Sequence, residues 1–470
     1  MINWEKEVKK IQEDLIKDTQ SLLRIKSVLD EESSSEGAPF GQGIKEALEF
    51  TLAKCKEFNM DVKNLEGYAG YAEIGQGSET LGILCHLDVV PEGNGWTYPP
   101  YEATIKDGKI FARGAIDDKS PSMAIIYALK IIRDLNIKLN KKVRVIFGTD
   151  EESEWRGIKY YLEREEMPTM GFAPDADFPI IISEKGIATI TLEGKLQQNN
   201  VSKDKAQVSI FTAGQRPNMV PDFATAKITA EKDILDLIKI AFNTFLINYE
   251  LGGEIEDINE SELIVKLRGV SAHGMEPQNG VNAGLELINF FIASESLIKI
   301  DSWMKWSVQF LYHDYFGNNF EIDYEDETSG FLTVNPGMIH LDNNKISIVL
   351  NIRYPITTPY AETIEKIKVK ASPAALVISQ NNNAKPHNVD KNHFLVETLK
   401  RVYKQQTGTE AELLSIGGGT YARALNVGVA FGPNFPGKPE TAHQKDEFIE
   451  IDDLLKATAI YTQAIYELAK

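Results

Sequence analysis

Two hydrophobic periodicities organise the chain. Up to about residue 184, short runs of consecutive apolar residues, clearest at 81–85 and 143–147, alternate with segments whose apolar positions recur every three or four residues, clearest at 4–29, 44–58 and 123–135. The runs predict buried strands and the recurring patterns predict helices. Their alternation predicts an α/β domain, a mainly parallel sheet with helices on both faces. The stretch 31–43, with serines and glycines around Pro39, is expected to be a loop.

After Gly186 the texture changes. The segment 195–207 is polar and turn-like, and the region to about 378 mixes strand patterns with helical ones at 234–249 and 281–293, which predicts an inserted α+β domain. From about 390 a helix at 394–406 precedes a Gly-rich loop, a short apolar strand at 427–431 and a helix at 452–468. The expected division is 1–184 and 379–470 for the α/β domain and 185–378 for the insertion. The chain has neither an internal repeat nor a low-complexity tract.

Candidate chemistry gathers where the apolar runs end. His86 and Asp88, in ILCHLDVVPEGNGW, sit at the C-terminal edge of the 81–85 strand. With a side-chain period of two they point to the same side, so the Asp88 carboxylate is expected to steady the imidazole. Asp117 and Asp118 stand in FARGAIDDKSP just before a helix, where a carboxylate can bridge two cations with its two oxygens. The 143–147 strand runs into Asp150-Glu151-Glu152. Adjacent residues at a strand end cannot share one direction, so one of the two glutamates is expected to face cations and the other an attacking water.

Asp175 in FAPDADFP and His443 in KPETAHQKDEF complete a set of five candidate ligands with His86, Asp117 and Glu152. Two imidazoles and three carboxylates without a thiolate suit two divalent ions, zinc, manganese or cobalt, rather than a Cys-type structural zinc. Two dications facing three carboxylates leave a formal surplus of about one positive charge, which favours ionisation of a shared water near neutral pH. His443 must then fold back onto the first 175 residues, and this makes the middle of the chain an insertion.

Composition narrows the class. At 470 residues and 43% hydrophobic content the chain can bury more than one core. A net charge of −19 argues against a nucleic-acid surface and reads as solubility. No run of about 18 apolar residues is present, so no membrane span is expected. MINWEKEVKKIQEDL carries charges throughout, so a signal peptide is not expected. Cys55 and Cys85 are too few for a disulfide framework, and a reducing cytoplasm is the expected compartment.

At HLDVVP, RGAIDDKSP, DEES, PDAD, GVSAHGMEP, VLNIRYP and IGGGTYAR, in that order over nearly the whole chain, the sequence resembles the M20 family of dinuclear metallopeptidases, and within it the PepV-like bacterial dipeptidases. The resemblance implies a catalytic domain with an inserted lid domain and hydrolysis of unblocked dipeptides. His86 and Asp175 would hold one ion, His443 and Glu152 the other, and Asp117 both. Glu151 would be the general base and Asp88 the residue that clamps His86. Asn218 in RPNMVP, His273 in SAHGMEP, Arg353 in NIRYP, and Gly417, Gly418, Gly419 and Thr420 of the glycine loop would serve substrate or transition state, with His273 the donor to the oxyanion. A cis Asp117–Asp118 peptide is implied as well, and a His273 supplied within one chain, so that a monomer suffices. Two positions depart from the family pattern. Ser120 stands where many relatives carry glycine, and Gly274-Met275-Glu276 follows the histidine of SAH.

Duller readings stand beside these. His313, His340, His387 and His393 lie outside every motif and are expected to be surface or hydrogen-bonded residues. Asp118 is read as a helix N-cap or a backbone-shaping residue. The glycine loop lacks a P-loop lysine and is read as backbone that approaches a substrate closely. Arg353 is either an ion-pair partner or a fork for a peptide carboxylate. The same centre would also suit an amidase, a carboxypeptidase or an N-acyl-amino-acid deacylase. A binding protein without catalysis is disfavoured by Glu151, since pure binding has no use for a base beside the cations.

Overall fold

The computed structural model describes residues 2–196 and 204–470, so most of the turn-like segment expected at 195–207 lies outside the described residues. Two compact units emerge. One holds the chain up to Ser183 with Asn388–Ser415 and Gly419–Lys470; the other holds Glu184–His387 with Ile416–Gly418.

In the first unit the sheet runs Asp61–Leu65, Ala69–Ile74, Lys142–Gly148, Thr80–His86, Met170–Ala173, Gly428–Ala430, Ile180–Glu184. The strands from Lys142–Gly148 to Gly428–Ala430 are parallel, and those flanking them are antiparallel. Every residue of Thr80–His86 is buried. A strand covered on both faces reads as an unbroken apolar run, which is why TLGILC shows no alternation. Lys119–Asp134 packs against Ile451–Ala469 and Trp4–Leu23, while Gln42–Glu57 covers the antiparallel edge. The architecture is α/β.

The pairing of His86 with Gly148 sets the site. Leu87 N–H continues the ladder to Gly148 O at 3.0 Å, so His86 and the acidic turn after Gly148 leave the sheet side by side at the C-terminal ends of parallel strands. The first helix stops at Leu23 instead of reaching residue 29. Its expected last turn is claimed by a tertiary contact: Ser27 Oγ donates to Leu87 O at 2.6 Å, and Ser27 O accepts from Val89 N–H at 3.0 Å. Residues 24–29 thus buttress the loop that follows His86.

The second unit is α+β, with an antiparallel sheet in the order Gly252–Asn259, Glu262–Arg268, Phe223–Thr229, Gln207–Ala213, Thr333–Asp342, Lys345–Tyr354, Gly186–Lys195, Val377–Ala384. Gly186–Lys195 alternates buried and half-buried positions, so one face enters the core with Ala188, Ile190 and Leu192. The unit runs to His387, past the boundary expected at 378, because Val377–Ala384 pairs with Gly186–Lys195. That edge strand is exposed and mostly polar, so it carries no apolar alternation to mark it. Among the described residues no helix is long and apolar enough to cross a membrane. Cys55 and Cys85 are buried and free.

Candidate metal centre

His86 is fixed from three directions. Its backbone N–H donates to Asp118 Oδ2 at 3.0 Å, its Nδ1 lies 2.9 Å from the Asp88 carbonyl oxygen, and its ring meets Tyr421 edge-on at 6.2 Å. The Asp88 carboxylate was expected to steady the ring; its Oδ1 stands farther off, at 3.6 Å. That oxygen still faces the ring, while Asp88 Oδ2 also accepts the backbone N–H of Glu152 at 3.0 Å. Asp118 occupies the N-cap of Lys119–Asp134 without a side-chain cap bond. It shapes backbone by holding the His86 amide.

Around His86 Nε2 the carboxylates converge. Asp117 Oδ1 lies 2.8 Å from it and Asp175 Oδ1 3.7 Å. The other Asp117 oxygen, Oδ2, lies 3.0 Å from His443 Nε2, which in turn is 2.9 Å from Glu152 Oε1. Asp117 therefore presents one oxygen to each histidine, and its peptide to Asp118 is cis. Potential ligand atoms of His86, Glu151 and Asp175 lie within 4.8 Å of one another, as do those of His86, Asp117 and Glu152. Both glutamates of the turn thus face the cluster. His86 Nε2 and Asp117 Oδ1 are buried 2.8 Å apart, and neither has a geometrically sound hydrogen-bond partner among the described residues. Converging, unsatisfied donors of this type fit a divalent cation.

Burial and charge crowding dominate the electrostatics. Burial and the charge of Asp117 push the Asp175 carboxyl up to about 7. Burial pushes Glu151 well above the ordinary carboxylate range, and Glu152 is raised by burial and by Asp117. Burial works against a charged His443, yet its bonds to Asp117 and Glu152 carry it up to about 11. His86 is likewise raised, with Asp175 and Asp117 outweighing burial, while the two histidines hold Asp117 low against its burial. Burial and mutual crowding thus raise the proton affinity of most of these groups, and a divalent cation bound among them would compete with protons.

The remaining candidates lie in the second unit or the glycine loop. Asn218 O accepts Gly274 N–H at 2.7 Å, and Met219 bridges His273, so Asn218 and His273 are neighbours. His273 Nδ1 accepts Met275 N–H at 3.3 Å, which places the ring proton on Nε2. Arg353 donates Nε to Asn351 Oδ1 and Nη1 to Gly417 O, both at 2.8 Å. A Cβ on Gly417 would meet Met275 Cβ at 2.8 Å, so this glycine answers a close approach; at Gly418 the nearest atom is 3.8 Å away. On Gly419 a Cβ would press only on the flexible end of Arg423. The Thr420 hydroxyl accepts Ala422 N–H at 3.1 Å and caps a short turn. His313, His340 and His393 bond locally to Glu286, Thr212 and the Leu395 amide.

Comparison with known proteins decides the family. The model of peptidase family M20/M25/M40 matches residues 82–467. The chain belongs to peptidase family M20. It is 48% identical over 474 residues to the Bacillus subtilis (strain 168) protein named "Putative dipeptidase YtjP", covering all of both chains. A Staphylococcus epidermidis protein named "Putative dipeptidase" is 38% identical over 471 residues, with 99% of each chain covered. Among solved structures, the Saccharomyces cerevisiae di-peptidase Dug1p aligns with a TM-score of 0.59 at 11% identity over 99% of this chain and 98% of that one. Human carnosine dipeptidase 1 aligns at 0.57 and 14% identity, with the same coverage. At these identities the two structures establish the fold.

Several residues of this M20 chain escaped the sequence reading. Glu447, fully buried, binds Arg113 Nη1 at 2.6 Å and accepts Ile116 N–H at 2.9 Å and Asp117 N–H at 3.4 Å. Burial and the Asp117 charge push its carboxyl up to about 7 despite Arg113. Its sequence signal was its place in KDEF, four residues after His443. Asp446 pins the same loop by accepting Thr97 N–H at 2.7 Å and Thr97 Oγ1 at 2.9 Å. In the second unit Asn335 Nδ2 donates to Pro217 O at 2.8 Å and Met219 O at 3.0 Å, bracketing Asn218. Nothing in its surroundings TVNPG announced that role. Ser120 Oγ is buried and makes no hydrogen bond.

Proposed function

We propose that this M20 peptidase is a dipeptidase that hydrolyses unblocked dipeptides and holds two divalent ions, zinc, manganese or cobalt. His86 and Asp175 would hold one ion, His443 and Glu152 the other, and Asp117 both. The observation that carries this reading is Asp117, whose two oxygens face the two histidines at 2.8 and 3.0 Å. The dipeptide substrate is supported by relatives named dipeptidases that match from end to end. The two buried free thiols support a reducing cytoplasm.

When bound, two divalent ions supply Lewis-acid polarisation of the scissile carbonyl and a more acidic water. Glu151 takes the proton of the attacking water and delivers it to the departing amine. A carboxyl raised by burial suits that task, because its proton affinity approaches that of the groups it serves. His273, protonated on Nε2, is the donor to the oxyanion, and Asn218 lies beside it. Arg353 and the Gly417 to Thr420 loop bind the substrate's polar ends. Asp88 acts at one remove: it accepts the Glu152 amide and orients His86 through its carbonyl.

The test is elemental analysis of the purified protein together with a substrate panel of free dipeptides, tripeptides and N-acyl amino acids. Two equivalents of metal and a preference for free dipeptides are expected. A preference for N-acyl amino acids would replace dipeptidase with deacylase, and a metal-free active enzyme would refute the centre.

A further inference from the structure

The acidic turn after Lys142–Gly148 is closed by a guanidinium. Asp150, 1% exposed, accepts three bonds from Arg156, each 2.9 Å: backbone N–H and Nε to Oδ2, and Nη2 to Oδ1. A planar fork meeting both carboxylate oxygens fixes orientation as well as charge, which an ammonium cannot reproduce. Between these partners lie Glu151 and Glu152. The loop is drawn shut again by Trp155 N–H on Asp150 O at 2.9 Å, with Trp155 in the left-handed region at φ 59° and its ring edge-on to Tyr421 at 5.1 Å. On the far side Asp88 holds the Glu152 amide at 3.0 Å. The Glu151 backbone is therefore strung between two anchored neighbours.

Arg156 is itself seated. Its guanidinium lies over the Phe40 ring at 4.6 Å, and Nη1 donates to Glu31 Oε1 at 3.0 Å. A solvated acidic turn would need none of this. We infer that Arg156 is a positioning residue: through Asp150 it holds the Glu151 carboxylate at the angle needed to move a proton between water and the departing amine, without touching either. The inference rests on the reading of Glu151 as the base.

Arg156→Lys tests it, because the charge stays while the fork is lost. A misplacement of about 1 Å in a reacting group costs about 10²-fold. In the metal-loaded enzyme kcat is expected to fall by about 10 to 10²-fold with KM within about twofold and metal content unchanged. Arg156→Gln with Asp150→Asn, which avoids stranding a buried charge, should show the same kcat loss. Glu31→Gln, at a solvent-screened pair, should leave activity as it is. Amide hydrogen exchange of the metal-free proteins gives a readout apart from turnover, and faster exchange confined to 151–155 is expected in Arg156→Lys. Unchanged exchange, kcat within about twofold of wild type, or a kcat loss that tracks loss of metal would each overturn the inference. A wild-type protein that loads metal yet cleaves no dipeptide would instead sink the dipeptidase reading.

Discussion

His443 Nε2 and Glu152 Oε1 stand 2.9 Å apart although 291 residues separate them in sequence. That contact closes the first unit around its insertion, since one partner follows a parallel strand and the other precedes the C-terminal helix. It also separates the proposed roles of two neighbours. In the proposed centre His443 would serve one ion, whereas Asp117 turns an oxygen to each histidine. His443→Ala is expected to retain about one metal equivalent and Asp117→Ala distinctly less, measured by elemental analysis after desalting. Two full equivalents in Asp117→Ala would refute the bridge.

Glu151→Gln should separate catalysis from metal binding. The amide keeps the size of the side chain but cannot take a proton, and proton-transfer catalysis is typically worth about 10² to 10⁴-fold. A kcat loss in that range with both metals retained is the expected result. Because Glu151 also offers an oxygen within 4.8 Å of potential ligand atoms of His86 and Asp175, loss of one equivalent would mean that it binds an ion instead.

Part of the candidate centre was legible because His86, Glu151 and Glu152 follow apolar runs. The unbroken burial of Thr80–His86 and of nearly all of Lys142–Gly148 leaves an apolar signature expected of a covered parallel strand, and the candidate ligands follow at once. What sequence could not show was set by tertiary contact. Ser27 leaves its helix to meet Leu87, Asp88 turns to the Glu152 amide after the strand has ended, and Glu447 reaches Arg113 across 334 residues. No local period encodes such contacts. The polar edge strand Val377–Ala384 escaped for the opposite reason: with one side chain row exposed after another, it had no burial pattern to print on the sequence.

Metal uptake should release protons. Cations bind deprotonated ligands, yet in the metal-free protein His443 is carried up to about 11 by Asp117 and Glu152, against its burial, and Asp175 is raised to about 7 by burial and Asp117. Both groups therefore hold protons more tightly than they would in water, and a cation must displace them. Lowering the pH adds protons to the ligand set, so apparent metal affinity should fall from pH 8 to pH 6. Calorimetry in buffers of differing ionisation enthalpy should report release of at least about one proton per centre at pH 7. Affinity that does not change over this range would contradict the assignment.

His273→Ala tests the oxyanion donor. With Met275 N–H on Nδ1, the ring offers Nε2–H without needing a positive charge. Removing one such donor costs about 10² to 10³-fold in kcat. The loss should appear in kcat with metal content unchanged, and His273→Gln should recover part of it, since an amide can also donate. Equal kcat values for the wild-type and Ala proteins would remove His273 from the mechanism.

The pair Arg113–Glu447 should be the most stability-sensitive contact beside the centre. Both side chains are almost wholly buried, at 2% and 1% exposure, and the carboxylate also carries the amides of Ile116 and Asp117. Removing one member of such a pair strands a charge away from water and typically costs about 3–5 kcal/mol, whereas removing both can cost much less. Arg113→Met and Glu447→Leu are therefore each expected to destabilise the metal-free protein by about that amount in urea unfolding, with the double variant less impaired than the sum. The two single variants should differ in one respect. Glu447→Leu releases the Asp117 amide and so should also weaken metal binding, while Arg113→Met leaves that acceptor in place. Equal metal affinities in the two would show that Glu447 supports the fold alone and does not aim the Asp117 carboxylate.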